Sequence, residues 1–541
     1  MNTVGMYLAG LLDAYGIEVV FGIPGVHTVE LYRGMDRTKL RHITPRHEQG
    51  AGFMADGYAR VTGRPAACFI ITGPGMTNIA TAMAQAYGDS IPMLVISAVN
   101  AFGQIGSGDG WLHELQDQRQ LVSQVSAFSY TVTSPEELPM VVARAFAVFN
   151  SSRPRPVHIE LPLNIITASA DRLPPIAASV SPSRPGASPQ ALDQASEWLN
   201  VAKAPVLLVG GGAQDSGSLV RDLAETLDAP VVMTVNGRGL LPVGHPLAVP
   251  CSPSMAPTIS LIESADLVLA IGTEFGPTDY NWGGTGGAIF RGRSIRIDID
   301  PTQLGRVQLV DLPIVSDVSE AMTALMSRVG KAGRNGAARA SKTRDALRRE
   351  LSPLYKFCIE VMNCVRDSLP GAVIVGDSAQ PVYAGCVAYE APAPRSWFCS
   401  ATGYGTLGYA LPASIGAKLG APERPVVCVV GDGGLQFSIQ ELAAARELEL
   451  PVIVLLWNNY GYSEIKSYMI ANQIRPVGVD IYTPDFQVLA KGFGCDAVRV
   501  TKLSDLPAAL LAAAGRKTAT VIEVVEDEIA KSRSTVRSGS S

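Results

Sequence analysis

Two apolar, β-rich runs, Val426 to Val430 and Pro451 to Trp457, each end in a polar turn: Gly431-Asp432-Gly433 after the first, Asn458-Asn459 after the second, with 24 residues between the turns. Runs of this kind suit strands buried inside a sheet, and the intervening length is what a helical crossover between parallel neighbours needs. Ser438-x-x-Glu441 reads as a capping box that opens the crossover helix. The chain is thereby held to strand–helix–strand units, and Asp432 and Asn459 fall at the carboxyl ends of adjacent strands, where open α/β sheets bind ligands. An Asp carboxylate and an Asn carbonyl are hard oxygen donors suited to a divalent cation, and Gly433 and Gly434 let the backbone approach a phosphate. Gly-Asp-Gly alone would fit any tight βα turn; paired with Asn-Asn at this spacing it points to a metal and diphosphate site.

The alternation of strand and helix patterns occurs three times, and 541 residues are too many for one core. Strand-like runs at Val19 to Phe21, Ala67 to Thr72, Met93 to Ser97 and Val157 to Leu161 mark the first unit. A second has runs at Pro205 to Val209, Pro230 to Thr234, Leu267 to Ile271 and Ser294 to Ile299, and a third adds Ala372 to Val375 to the opening pair. The predicted fold class is α/β, with three consecutive domains of parallel sheet flanked by helices. The expected boundaries are 1–167, 190–329 and 352–528, with a Pro/Ser/Ala-rich linker at 168–189 and a basic, Gly/Ala-rich one at 330–351. The tail from Glu526 to Ser541 is expected to fray.

Composition narrows the function. A net charge of −5 with 17% charged residues offers no basic footprint for nucleic acid, and no apolar stretch approaches the ~20 residues of a membrane span. The start carries no basic stretch leading into an apolar one, and the eight cysteines form no Cys-x-x-Cys, so reduced thiols in the cytoplasm are expected.

Gly-Asp-Gly followed by Asn-Asn resembles the signature of thiamine diphosphate enzymes. The resemblance implies pyrimidine-binding, middle and diphosphate-binding domains, in the order of the acetolactate synthase and pyruvate decarboxylase group. It also implies Mg2+ held by Asp432, Asn459 and the Gly461 carbonyl, with Gly431, Gly433, Gly434 and Tyr462 beside the cofactor. Arg46-His47-Glu48 through Gly57-Tyr58-Ala59-Arg60 is similar to the family segment whose Glu protonates the aminopyrimidine, which assigns that role to Glu48. In Gly403-Tyr404-Gly405-Thr406-Leu407-Gly408 the resemblance makes Leu407 the wedge between the cofactor's two rings and the Gly405 carbonyl the acceptor of its amino group. The same hexapeptide spells G-x-G-x-x-G, a weak dinucleotide signal by itself. Asp377-Ser378-Ala379-Gln380 resembles the loop that grips the diphosphate, although Pro381 stands where relatives often have His. Thr72-Gly73 with Asn78 resembles the pyrimidine-domain loop, and a plain strand–helix turn is the alternative. A homodimer or homotetramer with active sites between subunits is implied.

Relatives share loss of carbon dioxide from a 2-oxo acid and differ in how the remaining fragment reacts. His27 and His113 are candidate proton donors, since an imidazole titrates near neutrality; each is otherwise a structural histidine. The wording of Phe21 to Arg33, His47 to Thr62 and Thr273 to Tyr280 is similar to the 5-guanidino-2-oxopentanoate (2-ketoarginine) decarboxylases. A guanidinium tail would need carboxylates, with Glu464 first and Asp109 and Glu114 behind it; Glu464 could instead pair with Lys466 or Arg475. The triple glycine Gly210-Gly211-Gly212 resembles the middle domain of relatives, some of which bind FAD. Glu274 to Asp279 departs from the Arg-Phe-Asp-Asp-Arg-type segment of acetolactate synthases, which argues against FAD. The competing readings are an acetolactate synthase-like carboligase, a non-catalytic thiamine diphosphate-binding regulatory paralogue and, more distantly, a nicotinamide oxidoreductase.

Overall fold

The computed structural model describes residues 2–281, 284 and 286–530. Three six-stranded sheets follow one another along the chain. The first contains β1 (Val19–Gly22), β2 (Arg41–Ile43), β3 (Ala67–Ile70), β4 (Met93–Val99), β5 (Phe128–Thr131) and β6 (Pro156–Pro162), in the spatial order β2-β1-β3-β4-β6-β5. The second contains β7 (Pro205–Val209), β8 (Val231–Met233), β9 (Ala248–Val249), β10 (Leu267–Ile271), β11 (Arg293–Asp298) and β12 (Leu312–Val315), ordered β12-β11-β10-β7-β8-β9. The third contains β13 (Val373–Gly376), β14 (Trp397–Cys399), β15 (Val426–Gly431), β16 (Val452–Asn458), β17 (Asp496–Val500) and β18 (Thr520–Val525), ordered β14-β13-β15-β16-β18-β17.

Every ladder in the first sheet is parallel, and so is every ladder in the second and in the third. Parallel strands are covered by their crossover helices on both faces, which is why β4, β6, β16 and β18 are buried at every position. The short strands β2, β5, β9, β12, β14 and β17 lie toward the sheet edges and have too little apolar sequence to stand out from loops.

The third sheet repeats the order of the first, strand for strand. The helix Glu48–Thr62, which follows β2, and the helix Ala410–Gly420, which follows β14, thus hold equivalent places, and they pack against each other. Glycines set their separation: a Cβ on Gly57 would run into the Ala413 carbonyl, and one on Gly416 into the Met54 carbonyl. One buried core runs through both domains as a result, from Phe53 and Met54 to Tyr409, Ile415 and Val430.

A buried polar hub fastens all three domains at the end of this helix pair. Asp89 takes hydrogen bonds from Arg60 at 2.6 Å, Gln85 at 2.8 Å, Thr402 at 2.9 Å and Asn236 at 3.3 Å. Arg60 also binds Asp56 at 2.7 Å, and the Tyr409 hydroxyl donates to that same Asp56.

Two local expectations are corrected. The expected fraying is not seen at Glu526 to Ala530, which form a helical turn with Ile529 fully buried; residues 531–541 lie outside the described residues. Ser438 and Glu441 do not form a capping box: among the described residues the Ser438 hydroxyl has no partner, and the Glu441 carboxylate turns to the first domain instead. It takes the backbone amide of Arg46, 395 residues away. Among the described residues, no helix is long and apolar enough to cross a membrane.

Candidate active site

The turn after β15 places Asp432 at the start of a short helix, 1% exposed. Burial raises its pKa, and hydrogen bonds from neighbours oppose the shift: the Asn459 amide at 3.4 Å, the Thr483 hydroxyl at 3.2 Å and the Gly461 amide at 2.9 Å. The turns after β15 and β16 therefore meet, as adjacent parallel strands require. Tyr460 and Gly461 both have positive φ, 60° and 134°, and a Cβ on Gly461 would press on the Val479 carbonyl at 2.5 Å. The Tyr462 ring lies over Gly433, where an added Cβ would come within 2.5 Å of it. Gly431 faces Ala379 and Ser378, and Gly434 faces Asp377, so the expected diphosphate loop does adjoin the metal turn.

Within that loop the roles divide. The Asp377 carboxylate is fully buried and accepts from the amides of Ser378 at 2.7 Å and Ala410 at 3.2 Å; burial pushes its pKa up to about 6. Asp377 thus ties β13 to the helix Ala410–Gly420 and is not available to a diphosphate. The amides of Ser378 and Ala379 are also spent, on the side chain and the carbonyl of Asp377. Gln380 accepts from Asn459 at 3.3 Å and remains beside the metal turn.

These features fit Mg2+ and a diphosphate. The carboxylate and the Asn459 side-chain carbonyl are hard oxygens, no protein donor reaches that side-chain carbonyl among the described residues, and Gly433 and Gly434 keep the turn free of side chains that would crowd Tyr462 and Asp377.

Gly403, Gly405 and Gly408 have φ of 66°, 75° and 78°, so the loop before the helix Ala410–Gly420 needs these residues for its backbone shape. The Gly405 amide bonds Ser400 at 3.1 Å and the Thr406 amide bonds Gln85 at 3.3 Å; Leu407 is half-buried.

Glu48 opens its helix, and Asn78 donates to its Oε2 at 2.9 Å. The Thr72 hydroxyl and the Gly73 amide both donate to Gln118, at 2.8 and 3.0 Å. Gln118 in turn bonds Ser97, the Ala98 carbonyl and Glu160, a buried network that no local sequence signal announces. Among the described residues no side-chain hydrogen bond joins Glu48 to Asp432, Asn459 or Leu407 of its own chain.

The sequence did not reveal the partner of Glu441. Both of its oxygens accept the Arg46 amide at 3.0 Å, just before the helix of Glu48, whose cap is His47. Burial drives its pKa up to about 7, against the pull of Arg46. A carboxyl whose pKa is raised on folding binds its proton more tightly in the folded chain. Its stabilising contribution is thus present at low pH and is lost as pH climbs through the window from 4.5 to about 7. The expected result for Glu441→Gln is a variant that fares better relative to the parent at pH 8 than at pH 5, checked by thermal midpoints at both.

His27 and His113 face each other with ring centroids 5.1 Å apart, and among the described residues neither Nδ1 has a protein partner. Burial, with His113 adding to it, lowers the pKa of His27. Glu114 is committed elsewhere: its oxygens take the amides of Gly108 at 2.7 Å, Gly110 at 2.9 Å and Trp111 at 3.0 Å, and so fold the loop that carries His113. Asp109 and Glu464 are exposed. The alternative partner Lys466 binds Asp480 instead, at 2.6 Å.

The family profiles for thiamine pyrophosphate enzymes match in chain order: the N-terminal TPP binding domain over residues 2–121, the central domain over 192–325 and the C-terminal TPP binding domain over 379–524. The chain belongs to the thiamine pyrophosphate enzymes. It is 45% identical to the probable 2-ketoarginine decarboxylase AruI of Pseudomonas aeruginosa, over 96% of this chain and 94% of that protein. It is 33% identical to the acetolactate synthase isozyme 1 large subunit of Escherichia coli, over 93% of this chain and 90% of that one. The acetolactate synthase large subunit of Corynebacterium glutamicum is also 33% identical, over 98% of this chain and 88% of that one. Thiamine diphosphate is accordingly the cofactor of this enzyme.

The middle domain uses its distinctive residues structurally. The Gly212 amide bonds the Gly272 carbonyl at 3.0 Å, and Gly210 lies against the same residue, so the triple glycine brings the ends of β7 and β10 together. In the segment 273–280, Glu274 pairs with Arg153, and Phe275 is buried beneath the Arg296 guanidinium at 4.4 Å. Asp279 takes the Val235 amide at 3.1 Å, and burial pushes its pKa up to about 6.

Proposed function

We propose that this enzyme decarboxylates a 2-oxo acid to an aldehyde without oxidation, with Mg2+ anchoring the cofactor, and that the acid is 5-guanidino-2-oxopentanoate, giving 4-guanidinobutanal. The observation that carries the reading is the His27 and His113 pair, two facing imidazoles whose Nδ1 atoms have no partner among the described residues, in a chain 45% identical to a protein named as a probable 2-ketoarginine decarboxylase.

When bound, thiamine diphosphate would supply a nucleophilic ring carbon and a cationic ring that takes up the electron pair left by departing carbon dioxide. Glu48 carries the proton that activates it: Asn78 fixes Oε2, which leaves Oε1 as the oxygen that exchanges the proton. Asp432, Asn459 and the Gly461 carbonyl hold the metal, Gln380 and the glycines of the 431–434 turn face the diphosphate, and Gly405 and Leu407 shape the cofactor. His27 and His113 deliver the proton that completes the aldehyde. Glu464 and Asp109 are the carboxylates open to a guanidinium; Glu114 acts by folding the His113 loop.

A second copy of the chain completes each site, as the family resemblance implies. We place the enzyme in the cytoplasm, consistent with eight free thiols, and set the domain limits at 1–167, 190–329 and 352–528.

The acetolactate synthase relatives support a second reading, joining of two 2-oxo acids. A panel of 2-oxo acids with Mg2+ and thiamine diphosphate, combined with product analysis, separates the two. The expected result is carbon dioxide and an aldehyde, fastest from the guanidino substrate, with a colourless protein. Acetohydroxyacid products or a flavin spectrum would favour the second reading, and no turnover across the panel would favour a regulatory paralogue.

A further inference from the structure

We infer that Glu526 is a positioning residue for the metal site, fixing which end of the Asn459 amide faces the cation. The inference rests on Asn459 being a metal ligand. A side-chain amide can bind a cation only through oxygen, and an Asn offers oxygen and nitrogen ends of nearly equal shape. The structure removes the ambiguity by a chain of one-way groups. Trp457 Nε1 can only donate, and it donates to Glu526 Oε2 at 2.8 Å. An ionised carboxylate can only accept, and the same oxygen accepts from Asn459 Nδ2 at 3.2 Å.

Gln380 Oε1 takes the other Asn459 proton at 3.3 Å, but its own amide can turn over, so it cannot set the orientation alone. If Asn459 were reversed, its carbonyl would stand against the Glu526 carboxylate, oxygen to oxygen, and the hydrogen bond between them would be lost. The NH2 end is therefore held toward β18 and its extension, and the carbonyl is left for the metal. The segment around Glu526 is itself anchored, with Ile529 fully buried directly after it. Outer partners of this kind orient ligands and tune metal affinity.

The test is calorimetric titration of Mg2+ into the full-length protein with excess thiamine diphosphate, which reads affinity without turnover. Glu526→Ala is expected to weaken Mg2+ binding about 10- to 100-fold. Glu526→Gln, whose carbonyl can accept both hydrogen bonds without the charge, is expected to stay within about threefold of the parent. Parent-like affinity in Glu526→Ala, or an equal loss in Glu526→Gln, would overturn the orienting role. If Glu526→Ala does not fold, Trp457→Phe, which removes only the anchoring donor, is expected to lose affinity about threefold or more, and parent-like binding there would overturn it equally. Asn459→Ala separates the two levels: parent-like Mg2+ affinity in that variant would defeat the ligand assignment itself, whatever Glu526 does.

Discussion

Glu48→Gln is expected to lower kcat/KM for 2-oxo acid decarboxylation on the order of 10³-fold, the scale of a lost general acid–base group. The substitution keeps size and shape, and the Gln carbonyl can still accept from Asn78, which now donates to Glu48 Oε2 at 2.9 Å. What disappears is the exchangeable proton on the other oxygen. Binding of Mg2+ and thiamine diphosphate should change little, because the anionic end of the cofactor is held by the third domain. Carbon dioxide release and calorimetry on the same preparation check both halves. Undiminished release would show that activation runs through another group, whereas joint loss of binding and activity would show that Glu48 holds the cofactor and does not activate it.

The other large effect is on stability. Gly416→Val is expected to destabilise the chain by about 3 kcal/mol or more, at or beyond the upper end of overpacking costs. A Cβ at Gly416 meets the Met54 carbonyl, which is backbone, so no rotamer change can relieve the clash. The two helices must move apart, and that strips the core they share. It also pulls on both site loops at once, since Glu48 begins one helix and Leu407 precedes the other. Gly186→Val is the control: nothing lies within 4 Å of the added carbon, and the expected change is within about 0.5 kcal/mol. Thermal unfolding midpoints for the two variants should separate clearly; equal midpoints would mean that the helix contact is looser than the glycine geometry implies.

Much of the site was legible because its signals are local. Asp432 and Asn459 sit where buried strands end, and the separation of the turns is set by one helical crossover, so adjacency is a consequence of strand–helix–strand geometry. The role expected of Glu48 comes only from a motif resemblance, because nothing in its own neighbourhood distinguishes an activating carboxylate from one that favours a helix N-terminus. The orientations of Thr72 and Asp377 were not legible, for one reason. Each lies at a strand end facing the site, and the sequence does not say which way a side chain turns there. Both turned inward, toward amides and an amide carbonyl that needed partners.

By itself, the sequence determined the succession of strands and helices, the three parallel sheets and the pairing of an acid with an amide at neighbouring strand ends. Apolar runs and turn residues act over a few positions, so a linear reading captures them. Only the tertiary structure decided that Glu441 accepts the Arg46 amide ahead of the helix of Glu48, that Asp89 joins three domains, and that Glu526 accepts from Asn459. Those choices depend on which buried donors and acceptors come face to face. A buried polar group takes whatever partner the packing brings near, at any distance along the chain.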